Sequence, residues 1–260
     1  MAQNKNIIWL KSTDSTNNRA LDGIDIYPDG SVWAALHQSA GRGQRGNSWQ
    51  SAEGENLTFS ILFKPDFILA QEQFVISAAV AIGITNYLIS KGIEAKIKWP
   101  NDIYVADKKI CGILIENIIS GENLSSSICG IGLNLNQLTF HPDLPNPTSV
   151  LRERIGQARE KSTVLKFSLE HELELLVDEV FAQYSAAKRE KLVNGNFNPI
   201  YNTYHSKLYR LGQYHSFIET ATGQRFTAKI IGITELACLL LQYPDGSTRA
   251  FAFKEISYVI

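Results

Sequence analysis

Residues 38–49 read QSAGRGQRGNSW, and the character of the ten residues that follow its last glycine, 47–56, decides which folds are open to the chain. Its three glycines, Gly41, Gly43 and Gly46, let the backbone pass close to an anion and present N–H groups to it. Arg42 and Arg45 add two guanidinium forks for phosphate or carboxylate, and Trp49 adds a plane that can cover a base. The spacing also fits G-x-G-x-x-G, which has meaning only between a strand and the opening of a helix. A strand over 31–37 is available, but 47–56 is polar, contains a further glycine and shows no apolar stripe at helical spacing. A dinucleotide-binding α/β fold is therefore rejected. A P-loop is rejected as well, because no Lys-Ser or Lys-Thr pair follows the glycines. For the segment alone, a solvated surface loop is the competing reading.

The rest of the chain reads as an α+β protein with a mixed or antiparallel sheet and packed helices. Strands are expected over 7–11, 57–63, 95–99, 103–105, 110–117 and 127–135. A short helix through Arg19, Ala20 and Leu21 follows Asp14-Ser15-Thr16-Asn17, where Ser15 and Thr16 are either caps or ligand contacts. Residues 74–89 predict a buried helix ending near Lys91-Gly92. Residues 162–184 predict a second, with Leu165, Leu169, Leu173, Leu176, Val180 and Tyr184 on one face and Glu170, Glu172, Glu174 and Asp178 on a solvated one. After about residue 210 the texture changes to short β runs at 217–220, 226–233, 238–242 and 250–253, separated by turn signals. These predict a small β-barrel of about 50 residues.

At 260 residues and 44% hydrophobic, the chain can bury a full core. Its 25 basic and 26 acidic side chains give a formal charge of −1, so no global positive field favours nucleic acid or a membrane surface. Cys111, Cys129 and Cys238 lack the close pairing of a zinc site or redox dithiol and are expected to be buried thiols in a reducing compartment. No leader-like run or uninterrupted stretch of 18 apolar residues is present, and a cytoplasmic location is expected. The five scattered histidines suggest neither a metal nor a base.

Two further constellations carry chemistry. In KWPNDIYV (98–105) a Trp-Pro corner fixes the backbone, and Asn101 and Asp102 begin the next strand. In KKICGILIE (108–116) a lysine enters an otherwise apolar strand, and only one of Lys108 and Lys109 needs to point inward. Gly112 within that strand, like Gly130 and Gly132 in GIGLN (130–134), marks either close approach of a ligand or a bulge.

In this order, GRGQRGNSW, KWPND, KICGIL and GIGLN resemble the biotin protein ligase family over about residues 7–134, with a looser likeness beyond. The resemblance implies a class II aminoacyl-tRNA synthetase-like catalytic domain at 1–208 and an SH3-like barrel at 209–260. It implies that biotin and ATP react to biotinyl-AMP and pyrophosphate, and that biotin then passes to one lysine of a biotin carboxyl carrier protein domain. By motif match Arg42, Lys109 and Asp102 are catalytic. Arg42 and Lys109, with magnesium carried by the nucleotide, offset the charge of two reacting anions, and Asp102 orients or deprotonates the lysine amine. Ser15, Thr16, Gln38, Gly41, Arg42, Gly112, Leu114, Gly130 and Ile131 would surround biotin. Arg42, Arg45, Trp49, Lys109 and Asn134 would hold ATP, with Trp49 and Asn134 on adenine. No metal site built by the protein itself is implied.

Two positions depart from the family's commonest form: Gln44 and Asn47 stand where arginine is usual, which bears on how firmly the adenylate is held. Many relatives carry an N-terminal helix-turn-helix domain, for which the segment before Ser15 is too short. A ligase without repressor activity, monomeric or homodimeric, is expected. A lipoate or octanoate ligase or transferase shares the fold, but its R-R-x-x-G-G-G signature is absent. A catalytically silent ligand- or RNA-binding module is the other alternative, disfavoured for RNA by the charge balance.

Overall fold

The computed structural model describes residues 5–160, 164–234 and 236–260, with the Arg45 side chain outside the described part. Its main sheet has seven strands in the order β1-β2-β3-β7-β6-β5-β4. These are β1 (Ile7–Thr13), β2 (Ser31–Gln38), β3 (Leu57–Phe63), β4 (Lys96–Lys98), β5 (Asp102–Val105), β6 (Lys108–Ser120) and β7 (Asn123–Leu133). β1 and β2 run parallel because α1 (Thr16–Asp22) crosses between them; every other neighbouring pair is antiparallel. The sheet is thus mixed, as expected. All seven residues of β3 are buried, although the sequence alternates. The strand lies between β2 and β7 in the sheet's interior, so neither of its faces meets water.

Helix α2 (Phe74–Ser90) packs against α4 (Leu169–Asn194). Ala70–Ser90 has the length and composition to cross a membrane, yet most of it is buried within the fold. The onset of α4 differs from the expected 162: residues 161–163 lie outside the described residues, Leu165 is 79% exposed, and the helix starts where Ser168 Oγ accepts from the His171 N–H. Nor are all its acids solvated. Glu172 is buried and accepts from Tyr87 Oη at 2.6 Å while pairing with Lys91 Nζ at 2.5 Å. Two short helices, α3 (Val150–Gln157) and α5 (Asn198–Ser206), had no readable stripe because each buries only two side chains.

The C-terminal segment folds into a five-stranded antiparallel sheet, ordered β11-β10-β9-β8-β12, in keeping with a small SH3-like module. Its strands are β8 (Tyr214–Glu219), β9 (Arg225–Ile233), β10 (Leu239–Gln242), β11 (Thr248–Phe251) and β12 (Ile256–Tyr258). Phe217, Ala228, Ile230, Leu239, Leu241 and Phe251 fill it. Trp99 Nε1 donates to the Ala237 carbonyl at 2.9 Å and joins the two sheets. Cys111 and Cys129 are buried as expected, but Cys238 is half-buried, since it follows the exposed Leu236 in the β9–β10 turn.

Candidate active site

A cavity of about 490 Å³ opens where the main sheet meets the C-terminal one. Its floor is built by strand register. Gly112 pairs with Gly132 and Leu114 with Gly130 across β6 and β7, so three glycines leave a stretch of sheet almost bare. The space above is already used: a Cβ on Gly132 would fall 2.2 Å from the Trp49 ring, and one on Gly130 would fall 2.2 Å from Asn17 Oδ1. Those spaces are filled by the protein's own side chains, with the indole and an asparagine in contact with the backbone. Trp49 Nε1 is buried and has no hydrogen-bond partner among the described residues. Ile131 also borders the cavity, but its side chain belongs to the hydrophobic core, as alternation with Gly130 and Gly132 requires.

The choice between the two lysines is settled by a bulge. Ile103 pairs with Cys111 and Tyr104 with Lys109, so β6 carries Ile110 as an extra residue and its alternation reverses there. Lys109 consequently joins Gly112 on the cavity side and places Nζ 2.7 Å from Asp102 Oδ1, while Lys108 stays exposed. Lys109 Nζ also lies 5.9 Å from the centroid of the Trp49 ring.

Residues 41–49 form a small hairpin of their own. Arg42 bridges Ser48, and Trp49 N–H donates to the Gly41 carbonyl at 2.9 Å. Only a 3₁₀ turn, Gln44–Gly46, comes after the first two glycines, so the helix a dinucleotide fold needs does not form. Gly41 is not part of the cavity lining; a Cβ there would meet the Trp49 carbonyl oxygen at 2.4 Å, so it closes the hairpin instead. Arg42 lines the cavity and ends in an ion pair with Glu116 at 2.5 Å. Gln44 and Asn47 line it too.

Ser15, Thr16 and Gln38 form the polar end. Ser15 occupies the N-cap of α1 but makes no cap bond. Gln38 Oε1 does that work from β2, accepting from Thr16 N–H at 2.8 Å and from Thr16 Oγ1 at 3.2 Å. The cap is thus supplied through space by a glutamine.

Asn134, like Gly41, is an expected site residue outside the cavity lining. It does not line the cavity, and its Nδ2 donates to the Thr148 carbonyl at 2.9 Å, fixing the end of β7 to the segment before α3. The carbonyl of Asn134 accepts from Val150 N–H at the same joint. The ATP role expected of the Arg45 side chain lies outside the described residues.

Several lining residues escaped the sequence reading. Lys98 projects between Tyr104 and Tyr258, 5.1 and 4.7 Å from their ring centroids. Burial lowers its pKa below the ordinary lysine value, against the pull of nearby Asp102, and Lys109 and Arg210 lower it further. The position of Lys98 just ahead of Trp-Pro-Asn-Asp was the available signal. Asn17 lies beside Ser15 and Thr16 and could have been read with them. Thr220, Lys254, Ser257 and Tyr258 come from the C-terminal sheet, and nothing local in the sequence connects them to this cavity. Among the described residues no group of three or more His, Cys, Asp or Glu side chains is arranged to hold a metal ion.

Comparison with known proteins agrees with this arrangement. Residues 9–134 match the model of the biotin/lipoate A/B protein ligase family. A solved biotin protein ligase from Aquifex aeolicus, in complex with biotin and ATP, superposes with a TM-score of 0.72 at 26% identity over 97% of both chains. The bifunctional ligase/repressor BirA of Bacillus spizizenii is 29% identical over 86% of this chain, which spans 65% of that longer relative. The biotin--[acetyl-CoA-carboxylase] ligase of Paracoccus denitrificans is 32% identical over 91% of this chain and 94% of its own length. A glycine floor, a lysine turned inward by a bulge and an arginine hairpin thus occur together in a chain that matches such a ligase almost end to end, and the protein belongs to the biotin protein ligase family.

Proposed function

We propose that this chain is an ATP-dependent biotin protein ligase, comprising a catalytic unit at 1–208 and a C-terminal SH3-like module at 209–260. The observation that carries the proposal is that Ser15, Thr16, Gln38, Arg42, Asp102, Lys109, Gly112 and Gly130, drawn from distant parts of the chain, border one cavity. Its polar end offers hydroxyls and an amide to a cyclic urea, which needs donors and acceptors together. Leu114 and Gly112, with the Trp49 indole laid over Gly132, give apolar walls that suit a flat ring and an alkyl chain. The acid's carboxylate would then lie toward Arg42 and Lys109.

In the first step a biotin carboxylate oxygen bonds to the α-phosphorus of ATP, and the bond to the β-phosphate oxygen breaks, releasing pyrophosphate. Two anions meet in this step, and Arg42 and Lys109 supply the fixed positive charge that stabilises the charge developing between them. Lys98 adds a third cation at the cavity wall. Trp49 borders the adenine side, with its indole laid over Gly132. Magnesium carried by the nucleotide would offset part of the triphosphate charge beside Arg42 and Lys109. In the second step the lysine amine of a carrier domain attacks the acyl carbon and AMP leaves. Asp102 is the carboxylate placed to orient that amine and accept its proton.

The partner on this reading is a biotin carboxyl carrier protein domain of a biotin-dependent carboxylase, met in the cytoplasm. Incubation with biotin, Mg-ATP and such a domain should add the mass of one biotinyl group to a single carrier lysine. No mass gain, together with lipoate in place of biotin supporting ATP–pyrophosphate exchange, would overturn the proposal.

A further inference from the structure

Glu116 has no task in the chemistry above, yet it is the group to which Arg42 is bound. Arg42 Nη2 lies 2.5 Å from Glu116 Oε1, and Arg42 Nη1 donates to Asn18 Oδ1 at 2.8 Å. Glu116 reaches this place because β6 directs Gly112, Leu114 and Glu116, two residues apart, to one face. Its other oxygen accepts from Asn17 Nδ2 at 2.8 Å, and Asn17 Oδ1 in turn accepts from Ser60 Oγ at 2.6 Å. The carboxylate is therefore fixed by the wall of the polar end while it holds the arginine of the hairpin. Lys109 is likewise already paired with Asp102. Both cations assigned to adenylation thus meet the nucleotide with a carboxylate partner in place.

The two pairs differ in accessibility. The Arg42 and Glu116 side chains are 42% and 35% exposed at the rim, against 30% and 18% for Lys109 and Asp102. An exposed pair of this kind is weak and screened by salt, whereas a guanidinium meets phosphate through stronger forked, charge-assisted bonds. A triphosphate entering the cavity can take Arg42 from Glu116, but against a competitor.

We infer that Glu116 is a counter-ion latch: it stores the Arg42 guanidinium at the rim and sets nucleotide affinity by competing with phosphate, without touching the nucleotide. Glu116 is accordingly a positioning residue. The inference rests on the ATP-dependent reading of this cavity.

Glu116→Gln tests it, since the amide retains an oxygen for Asn17 while losing both the charge and the acceptor that hold Arg42. Calorimetric titration with Mg-ATP should show binding about two- to fivefold tighter than wild type, the range expected for releasing one exposed ion pair. The KM for ATP should fall by the same factor with kcat unchanged, and the gain should shrink at high salt. Glu122→Gln, in the β6–β7 turn, changes the net charge equally and should bind as wild type does. Unchanged or weaker binding in Glu116→Gln, or equal tightening in Glu122→Gln, overturns the latch alone. Absence of any Mg-ATP binding by the wild-type chain overturns both the latch and the function on which it rests.

Discussion

Lys109 Nζ stands 2.7 Å from Asp102 Oδ1 because Ile110 is an extra residue in β6 opposite the Ile103–Tyr104 step of β5. Without that bulge, alternation would place Lys109 with Cys111 and Ile113, on the side facing the core. The cation and the carboxylate are held as a unit by backbone pairing. Lys109→Ala should lower the rate of biotin-dependent ATP–pyrophosphate exchange by about 100-fold or more. The exposed Lys108→Ala should stay near wild type, and the opposite ranking would discard the assignment.

Gly132→Ala probes the bare floor. Its new methyl group would lie 2.2 Å from the Trp49 ring, so the indole must leave the sheet or the strands must part. A loss of about 2 kcal/mol is expected in urea unfolding, together with altered tryptophan emission and a higher KM for ATP. Wild-type emission and KM would show that Trp49 does not depend on this contact.

Glu172 lies away from the cavity and serves as a stability control. It is buried among Tyr87 and Lys91, so Glu172→Ala leaves a hydroxyl and a largely buried ammonium without their partner. Breaking such a pair costs about 3 kcal/mol. Denaturant titration should show that loss while exchange activity per folded molecule is retained; lost activity in the folded variant would mean that α4 supports the cavity more directly.

Lys98 provides a pH test. Burial holds its pKa below the ordinary value of 10.5, so between those two values the unfolded chain binds the proton that the folded chain has released. Its contribution to stability is therefore present above 10.5, rises with pH through that window, and is lost as pH falls through the folded value. Wild type should gain stability relative to Lys98→Met as pH rises across the window, and a flat difference would refute the shift. Lys98→Arg keeps its charge and should extend nucleotide binding to higher pH.

How much of this was legible depended on the range of the interactions. The floor glycines, the bulged lysine and the arginine hairpin were marked by residue types at short spacing, α2 by a dense apolar run and β3 by period-two alternation. The bond from Asn134 to the Thr148 carbonyl was not legible, because a buried asparagine at the end of a glycine-bearing strand looks the same in sequence whether it faces a ligand or a neighbouring carbonyl. Glu172 was read as solvated because its partners, Tyr87 and Lys91, are more than 80 residues away. The capping of α1 by Gln38 is equally non-local, and so is the lining contributed by β12.

The hydrogen bond from Trp99 to Ala237 ties the C-terminal module to the main sheet beside the cavity that Thr220, Lys254 and Tyr258 help to line. Transplanting a homologous barrel onto this chain would import foreign side chains at Thr220, Lys254 and Tyr258 along with the graft. Such chimeras should inherit part of their turnover behaviour from the donor of the smaller piece.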